Sequence, residues 1–271
     1  MGHWTLDDIP WHRFDPDKVD AELVRIVKAA SLVEQNGADY ALYLCNVFAD
    51  DPGFQTVARR WGEEEIQHGQ ALGRWAALAD PGFDHAAACA RFTAGFRVPL
   101  GAKASVRGSR AGELVARCIV ETGTSNYYTA LGEAATEPAL KEICRRIAAD
   151  ELRHYKLFYT HLKRYLESEG LGLWARARVA LGRVAETEDD ELAFAYHVAN
   201  QPDRPYDRHR AVDAYARRAY ALVRPHHVER GTAMIMKAVG LKPNGRLNRV
   251  AARLAWWQIA RRNRRLQRLP A

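Results

Sequence analysis

The chain has 271 residues, of which 48% are hydrophobic and 27% charged, with a formal net charge of +7 and four cysteines. That apolar share is ample for a large core and excludes a disordered chain, while no stretch reaches the roughly 18 apolar residues of a membrane-crossing helix. Cys45, Cys89, Cys118 and Cys144 are scattered without a C-x-x-C pair, which excludes a disulfide framework and a thiolate zinc or rubredoxin-type site; they read as small apolar residues in helices.

Residues 1–19 hold Trp4, Pro10 and Trp11 without the charged, apolar and small regions of a signal peptide, so a cytoplasmic protein is expected. Helical periodicity dominates from residue 20 onward, and the class expected is all-α. The pattern predicts a first helix over residues 20–48, with Leu23, Val27, Ala30, Glu34, Ala38, Ala41 and Cys45 on its apolar stripe. Glu34 is the only charge on that stripe, and a buried carboxylate is costly unless it is paired or binds a metal. After the turn Asp50-Asp51-Pro52-Gly53, a second helix is predicted over 54–78 with Val57, Trp61, Glu65, His68, Leu72 and Trp75 facing inward. Within it Glu65-Ile66-Gln67-His68 sets a carboxylate and an imidazole three residues apart, one turn along a single face.

Residues 80–110 carry Pro81, Gly82, Pro99, Gly101 and Gly108 around a short helical patch at 86–92, as expected of a long crossover. The plan then repeats. A helix over 111–134 carries Leu114, Cys118, Glu121, Ser125 and Tyr128 on one face, again with a lone carboxylate. The helix over 137–167 contains Asp150-Glu151-Leu152-Arg153-His154, a second Glu-x-x-His. Beyond 168–170 the composition shifts, and helices are predicted over 171–181, 189–200, 210–222 and 225–239. None carries a second ligand set. His161, His226 and His227 are expected at the surface or in an outer layer, because no carboxylate at helical spacing completes a site around them. The chain thus divides into a leading segment (1–19), a bundle (20–168) and a helical extension (169–271).

Ligands on two antiparallel helices meet only if the turn lies midway between them. Glu34 and Glu65 have their midpoint between residues 49 and 50, at the first turn, and Glu121 and Glu151 have theirs at Thr136, beside Glu137-Pro138. Each ligand is some fifteen residues from its turn, roughly 22 Å of helix, so all four helices deliver their ligands at one level. This is the donor set of a ferritin-like di-iron or di-manganese four-helix bundle: one Glu from each of two helices and Glu-x-x-His from each of the other two. Carboxylate oxygens with two imidazoles suit two iron ions, with Glu65 and Glu151 placed to bridge, Glu34 and Glu121 terminal, and His68 and His154 on one ion each. Glu64 and Asp150, each directly before a ligand Glu, are candidates to orient an imidazole on the neighbouring helix.

Residues 230–271 carry two lysines and nine arginines and no acid, a charge of +11 that leaves −4 for the rest of the chain. Leu247, Val250, Leu254 and Trp257 form an apolar stripe among Arg246, Arg249, Arg253, Arg261 and Arg262, a basic amphipathic helix. Such a helix either docks its stripe on the body or engages an acidic partner or an anionic membrane, which would add peripheral attachment at the inner membrane surface. Nucleic acid fits poorly, since neither interleaved aromatics nor a known module is present.

At Glu64-Glu65-Ile66-Gln67-His68-Gly69 and Ile147-Ala148-Ala149-Asp150-Glu151-Leu152-Arg153-His154 the chain resembles the acyl-acyl-carrier-protein desaturases, soluble di-iron relatives of ferritin. Leu140-Lys141-Glu142-Ile143-Cys144 and Tyr40, six residues after Glu34, extend the resemblance, which covers residues 33–165. Gln67 departs from the family pattern, where an arginine stands, and Tyr155 replaces an acid. The resemblance implies an O2-dependent oxidoreductase that desaturates or hydroxylates a long acyl or lipid-like substrate, with Thr124 as an active-site hydroxyl. It also implies an acyl-carrier protein as a partner and an outside electron donor such as ferredoxin. A hydroxylase of another substrate, such as a quinone or a tRNA base, uses the same ligands, as does a ferritin-like iron-oxidising protein. A homodimer is the expected assembly.

Overall fold

In the computed structural model, residues 3–186 and 190–268 are described, and every regular element among them is helical. Three short 3-10 turns within residues 6–18 lead into α1 (Ala21–Gln35), α2 (Gly37–Val47), α3 (Pro52–Ala79), α4 (His85–Gly95), α5 (Arg110–Ala134) and α6 (Pro138–Glu169). The remainder forms α7 (Leu173–Ala185), α8 (Asp190–Asn200), α9 (Arg208–Leu222), α10 (Pro225–Val239) and α11 (Arg246–Leu266). The expected helix over 189–200 begins at a residue outside the described set. None of the described helices is long and apolar enough to cross a membrane.

Local chemistry sets most boundaries. Asp20, Asp51, Asp84, Ser109 and Glu137 each accept backbone N–H groups at a helix start, satisfying donors that the first turn leaves unpaired. Gly170 and Gly240 end α6 and α10 with φ of 64° and 92°, a conformation that favours glycine. Glu137 is buried and also accepts Trp75 Nε1–H at 2.7 Å, tying the start of α6 to the far end of α3.

The first predicted helix differs from expectation at one point. Asn36 interrupts it: its N–H turns back to Val33 O, and α2 restarts at Gly37. The interruption rotates the stripe, so that Gly37 is buried and Ala38, expected inside, faces solvent. The cause is tertiary. A Cβ on Gly37 would come within 2.4 Å of Glu65 Cβ, and one on Gly62 within 2.6 Å of Ala41 Cβ, so α2 and α3 meet through two glycines. The crossover holds a longer helix than the patch at 86–92, because Phe92 is buried where α4 packs on α1, α3 and α8.

α1 and α2 pack along α3, α5 packs along α6, and α3 meets α6. The core forms two apolar clusters. One gathers Ile26, Val27, Leu72, Trp75, Leu131 and Ile143. The other gathers Leu44, Phe48, Phe54, Trp61, Leu114 and Phe158. Along α3 and α6 the polar residues Glu65, His68, Glu151 and His154 fall between these clusters, so apolar packing holds the helices on both sides of a buried polar layer. α8 covers α1, α10 covers α5, and α11 lies across α9 and α10.

Candidate metal centre

The structure brings Glu34 (α1), Glu65 and His68 (α3), Glu121 (α5), and Glu151 and His154 (α6) into one buried cluster. It contains two four-residue donor groups, Glu34, Glu65, His68, Glu151 and Glu65, Glu121, Glu151, His154, which share Glu65 and Glu151. His68 Nδ1 lies 3.2 Å from Glu151 Oε1, 3.7 Å from Glu34 Oε2 and 3.8 Å from Glu65 Oε2. His154 Nδ1 lies 3.0 Å from Glu65 Oε1, 3.7 Å from Glu121 Oε2 and 4.0 Å from Glu151 Oε2. Glu65 and Glu151 therefore each turn one oxygen to either imidazole, whereas Glu34 faces only His68 and Glu121 only His154.

The donor chemistry fits a pair of divalent ions. Both Nδ1 atoms and Oε1 of Glu65, Glu121 and Glu151 are buried without a hydrogen-bond partner, an arrangement that is costly unless something else takes up those lone pairs. Four carboxylates with two neutral imidazoles balance the charge of two dications. Without metal ions, protons would take up part of that role. Burial, then repulsion from Glu65, pushes Glu34 well above the usual carboxylate range, and burial followed by Glu151 does the same to Glu121. Glu65 is held well below that range, because the imidazoles of His154 and His68 outweigh its burial. Burial would lower His154, but Glu64 and Glu65 raise it to about 9; His68 is raised likewise, by Asp150 and Glu151 against its burial.

Glu64 and Asp150 act crosswise between α3 and α6. His68 Nε2–H donates to Asp150 Oδ2 at 3.1 Å, and His154 Nε2–H donates to Glu64 Oε2 at 2.8 Å. When a metal displaces the second proton, each bond holds the remaining one on Nε2 and so leaves Nδ1 as the acceptor facing the cluster. Against the cost of burial, His154 and Arg153 draw Glu64 down to about 2, and Asp150 is lowered in the same way by His68 and Arg153. Thr124, half-buried, donates to Glu151 Oε2 at 2.5 Å and lies 3.3 Å from Val120 O, so its hydroxyl is on the cluster as well as near its own helix backbone.

Several contributors carry no signal in the sequence. Arg153 bridges Glu64 and Asp150, at 2.8 and 2.5 Å. Trp4 Nε1–H donates to Asp150 Oδ2 at 2.6 Å and stacks its ring on His68, and His3 contacts the same oxygen. Tyr128, which donates its phenol proton to Glu34, is the exception, since it shares the ligand face of α5. Gln67 and Tyr155 are attachment points: Gln67 Nε2–H donates to Trp4 O at 2.9 Å, and Tyr155 donates to Met234 O on α10 at 2.8 Å.

Outside the cluster, His226 and His227 do meet a carboxylate, Glu133, which comes from α5 and not from their own helix. The expectation concerned carboxylates at helical spacing, and Glu133 adds a group formed between helices that no such spacing shows. Yet His227 Nδ1 accepts the backbone N–H of Arg224, which leaves the proton on Nε2 as a donor to Glu133 and makes that nitrogen a poor ligand. His161 packs edge-on to Phe54 and contacts Arg164. Of the tail arginines, Arg262 turns inward to Asp213 at 2.8 Å, whereas Arg246, Arg249, Arg253 and Arg261 are exposed.

Comparison with known protein families and with curated proteins finds no match to this chain.

Proposed function

We propose that the chain is a ferritin-like di-iron protein and an O2-dependent oxidoreductase of a long acyl or lipid-like substrate. The observation that carries the reading is the pair of buried donor groups sharing Glu65 and Glu151, with each imidazole Nδ1 left unpartnered. Glu34 with His68, and Glu121 with His154, would complete one ion each. A pair of ferrous ions held by these residues would supply the O2-reducing chemistry that oxidation of an unactivated C–H bond needs. The chain's own residues orient and protonate. Asp150 and Glu64 hold the imidazoles in their ligating tautomer, Thr124 keeps a proton at Oγ1 against Glu151, and Tyr128 keeps one against Glu34. Trp61, backed by Phe158, lies edge-on to His154 and Trp4 stacks on His68, so each imidazole has an aromatic ring beside it that limits access of water. The substrate class rests on the resemblance of residues 33–165 to the acyl-carrier-protein desaturases, and electrons come from an external donor such as ferredoxin.

The test is metal analysis after anaerobic ferrous loading, followed by mass spectrometry of cellular acyl chains and lipids with the gene present and absent. Two irons per chain and a changed acyl or lipid species are expected. One iron or none removes the di-iron reading; two irons with unchanged lipids remove the substrate class alone. A shell of many subunits filled with iron would instead make iron the cargo.

A further inference from the structure

α11 presents two faces, and the structure assigns them. Asn248, Ala252 and Leu266 are buried against the body, with Gln267 bonded to Arg217 O and Arg262 paired with Asp213. At about 100° per residue, the row Leu247, Val250, Leu254, Trp257 lies roughly opposite that seat. It faces solvent, with exposures of 57, 54, 59 and 53%. Four large apolar side chains in one exposed row are more than chance scatter on a surface. Arg261 and Arg265 continue the row toward the C-terminal end of the helix, and Arg246, Arg253 and Arg264 flank it, all exposed. The Arg261 guanidinium lies over the Trp257 ring at 5.4 Å. No acid occurs in residues 230–271.

We propose that this face is a peripheral membrane anchor, lying in the interfacial layer of an anionic bilayer with the helix axis along the surface. The apolar row matches the acyl boundary, Trp257 the headgroup level where indoles partition, and the arginine flanks the anionic headgroups. A second copy of the chain fits poorly, since pairing two such rows brings two acid-free arginine arrays together. An acidic protein matches the charge but leaves the outward leucine, valine and indole row unexplained. The inference uses no metal and stands apart from the oxidoreductase reading.

The test is flotation of the full chain with phosphatidylcholine vesicles, with and without phosphatidylglycerol, at low and high salt. Three proteins are compared: wild type, Leu254→Glu/Trp257→Glu, and Arg246→Gln/Arg253→Gln/Arg261→Gln/Arg265→Gln. All substituted positions are exposed, and circular dichroism with metal content equal to wild type verifies the fold. Wild type floats with anionic vesicles, and brominated lipid quenches the fluorescence component that a Trp257→Phe variant lacks. Each arginine lost weakens binding about fivefold, and the glutamate pair abolishes it. The proposal is overturned if wild type does not float, or if the glutamate pair floats as wild type does, which would mark capture of any polyanion. It is equally overturned if those glutamates convert a dimer to a monomer, showing that the row was covered by a second copy.

Discussion

Asp150→Asn should weaken one metal position and largely spare the other. Asp150 Oδ2 accepts from His68 Nε2 at 3.1 Å and Trp4 Nε1 at 2.6 Å, while Oδ1 accepts from Arg153 at 2.5 Å. An asparagine is neutral and offers one oxygen, so the Arg153 ion pair is lost in either orientation, and with that oxygen turned to Arg153 the amide N–H faces His68, which loses its fixed tautomer. Removing a partner of this kind lowers metal affinity about 10- to 100-fold, or roughly 1.4 to 2.7 kcal/mol. Glu64→Gln should do the same at His154, whose Nε2–H bond to Glu64 is 2.8 Å. Anaerobic titration with ferrous or cobaltous ion, followed by calorimetry and absorbance, should change from two similar sites to one strong and one weak site in each variant. The double variant should weaken both. Two sites of unchanged affinity in Asp150→Asn would refute the argument that this carboxylate orients a ligand.

Glu65→Ala or Glu151→Ala should remove both ions from purified protein by metal analysis, Glu34→Ala or Glu121→Ala should leave about one, and His161→Ala should leave both. In the metal-free protein His154 is raised from its ordinary 6.5 to about 9, so its contribution to stability is present below pH 6.5 and is lost as pH rises through 9. Glu34 and Glu121, also raised, lose stability in the same direction from above pH 4.5, so the melting temperature of chelator-treated protein should fall as pH rises while metal affinity increases. Gly37→Ala forces a Cβ to within 2.4 Å of Glu65 Cβ, and about 1–3 kcal/mol of overpacking should appear in denaturant unfolding, together with reduced metal content.

The placement of the six cluster residues was legible because every element of the inference was local or periodic. Spacings of three residues fix a helix face, and turn signals fix where a hairpin reverses, so Glu34 and Glu65, like Glu121 and Glu151, could be brought to one level without knowledge of packing. What the pattern did not show depended on contacts between distant segments. Asn36 breaks α1 from α2 where two glycines, Gly37 and Gly62, let helices approach, and no periodicity reports that. His3 and Trp4 reach Asp150 across 147 and 146 positions from a segment without a pattern. Glu133 meets His226 and His227 from another helix, outside any search at helical spacing. For α11 the amphipathic pattern defined two faces but not which one the body covers.

The two halves of the cluster are related by repetition in sequence but are not equivalent, and the position directly before each histidine makes the difference. In the second motif it is Arg153, which clamps Glu64 and Asp150 together and so couples the two orienting carboxylates. In the first it is Gln67, which is too short and uncharged to duplicate that clamp and instead holds the carbonyl of Trp4. A second arginine there would bring an additional cation next to His68, Asp150 and Arg153, and would compete with the N-terminal segment for the same space. Glutamine therefore leaves room for Trp4 to cover the His68 side with its indole, while Trp61 and Phe158 close the His154 side from within the core. The His68 side is thus shielded by a segment outside the four ligand-bearing helices, and the His154 side by residues of α3 and α6 themselves.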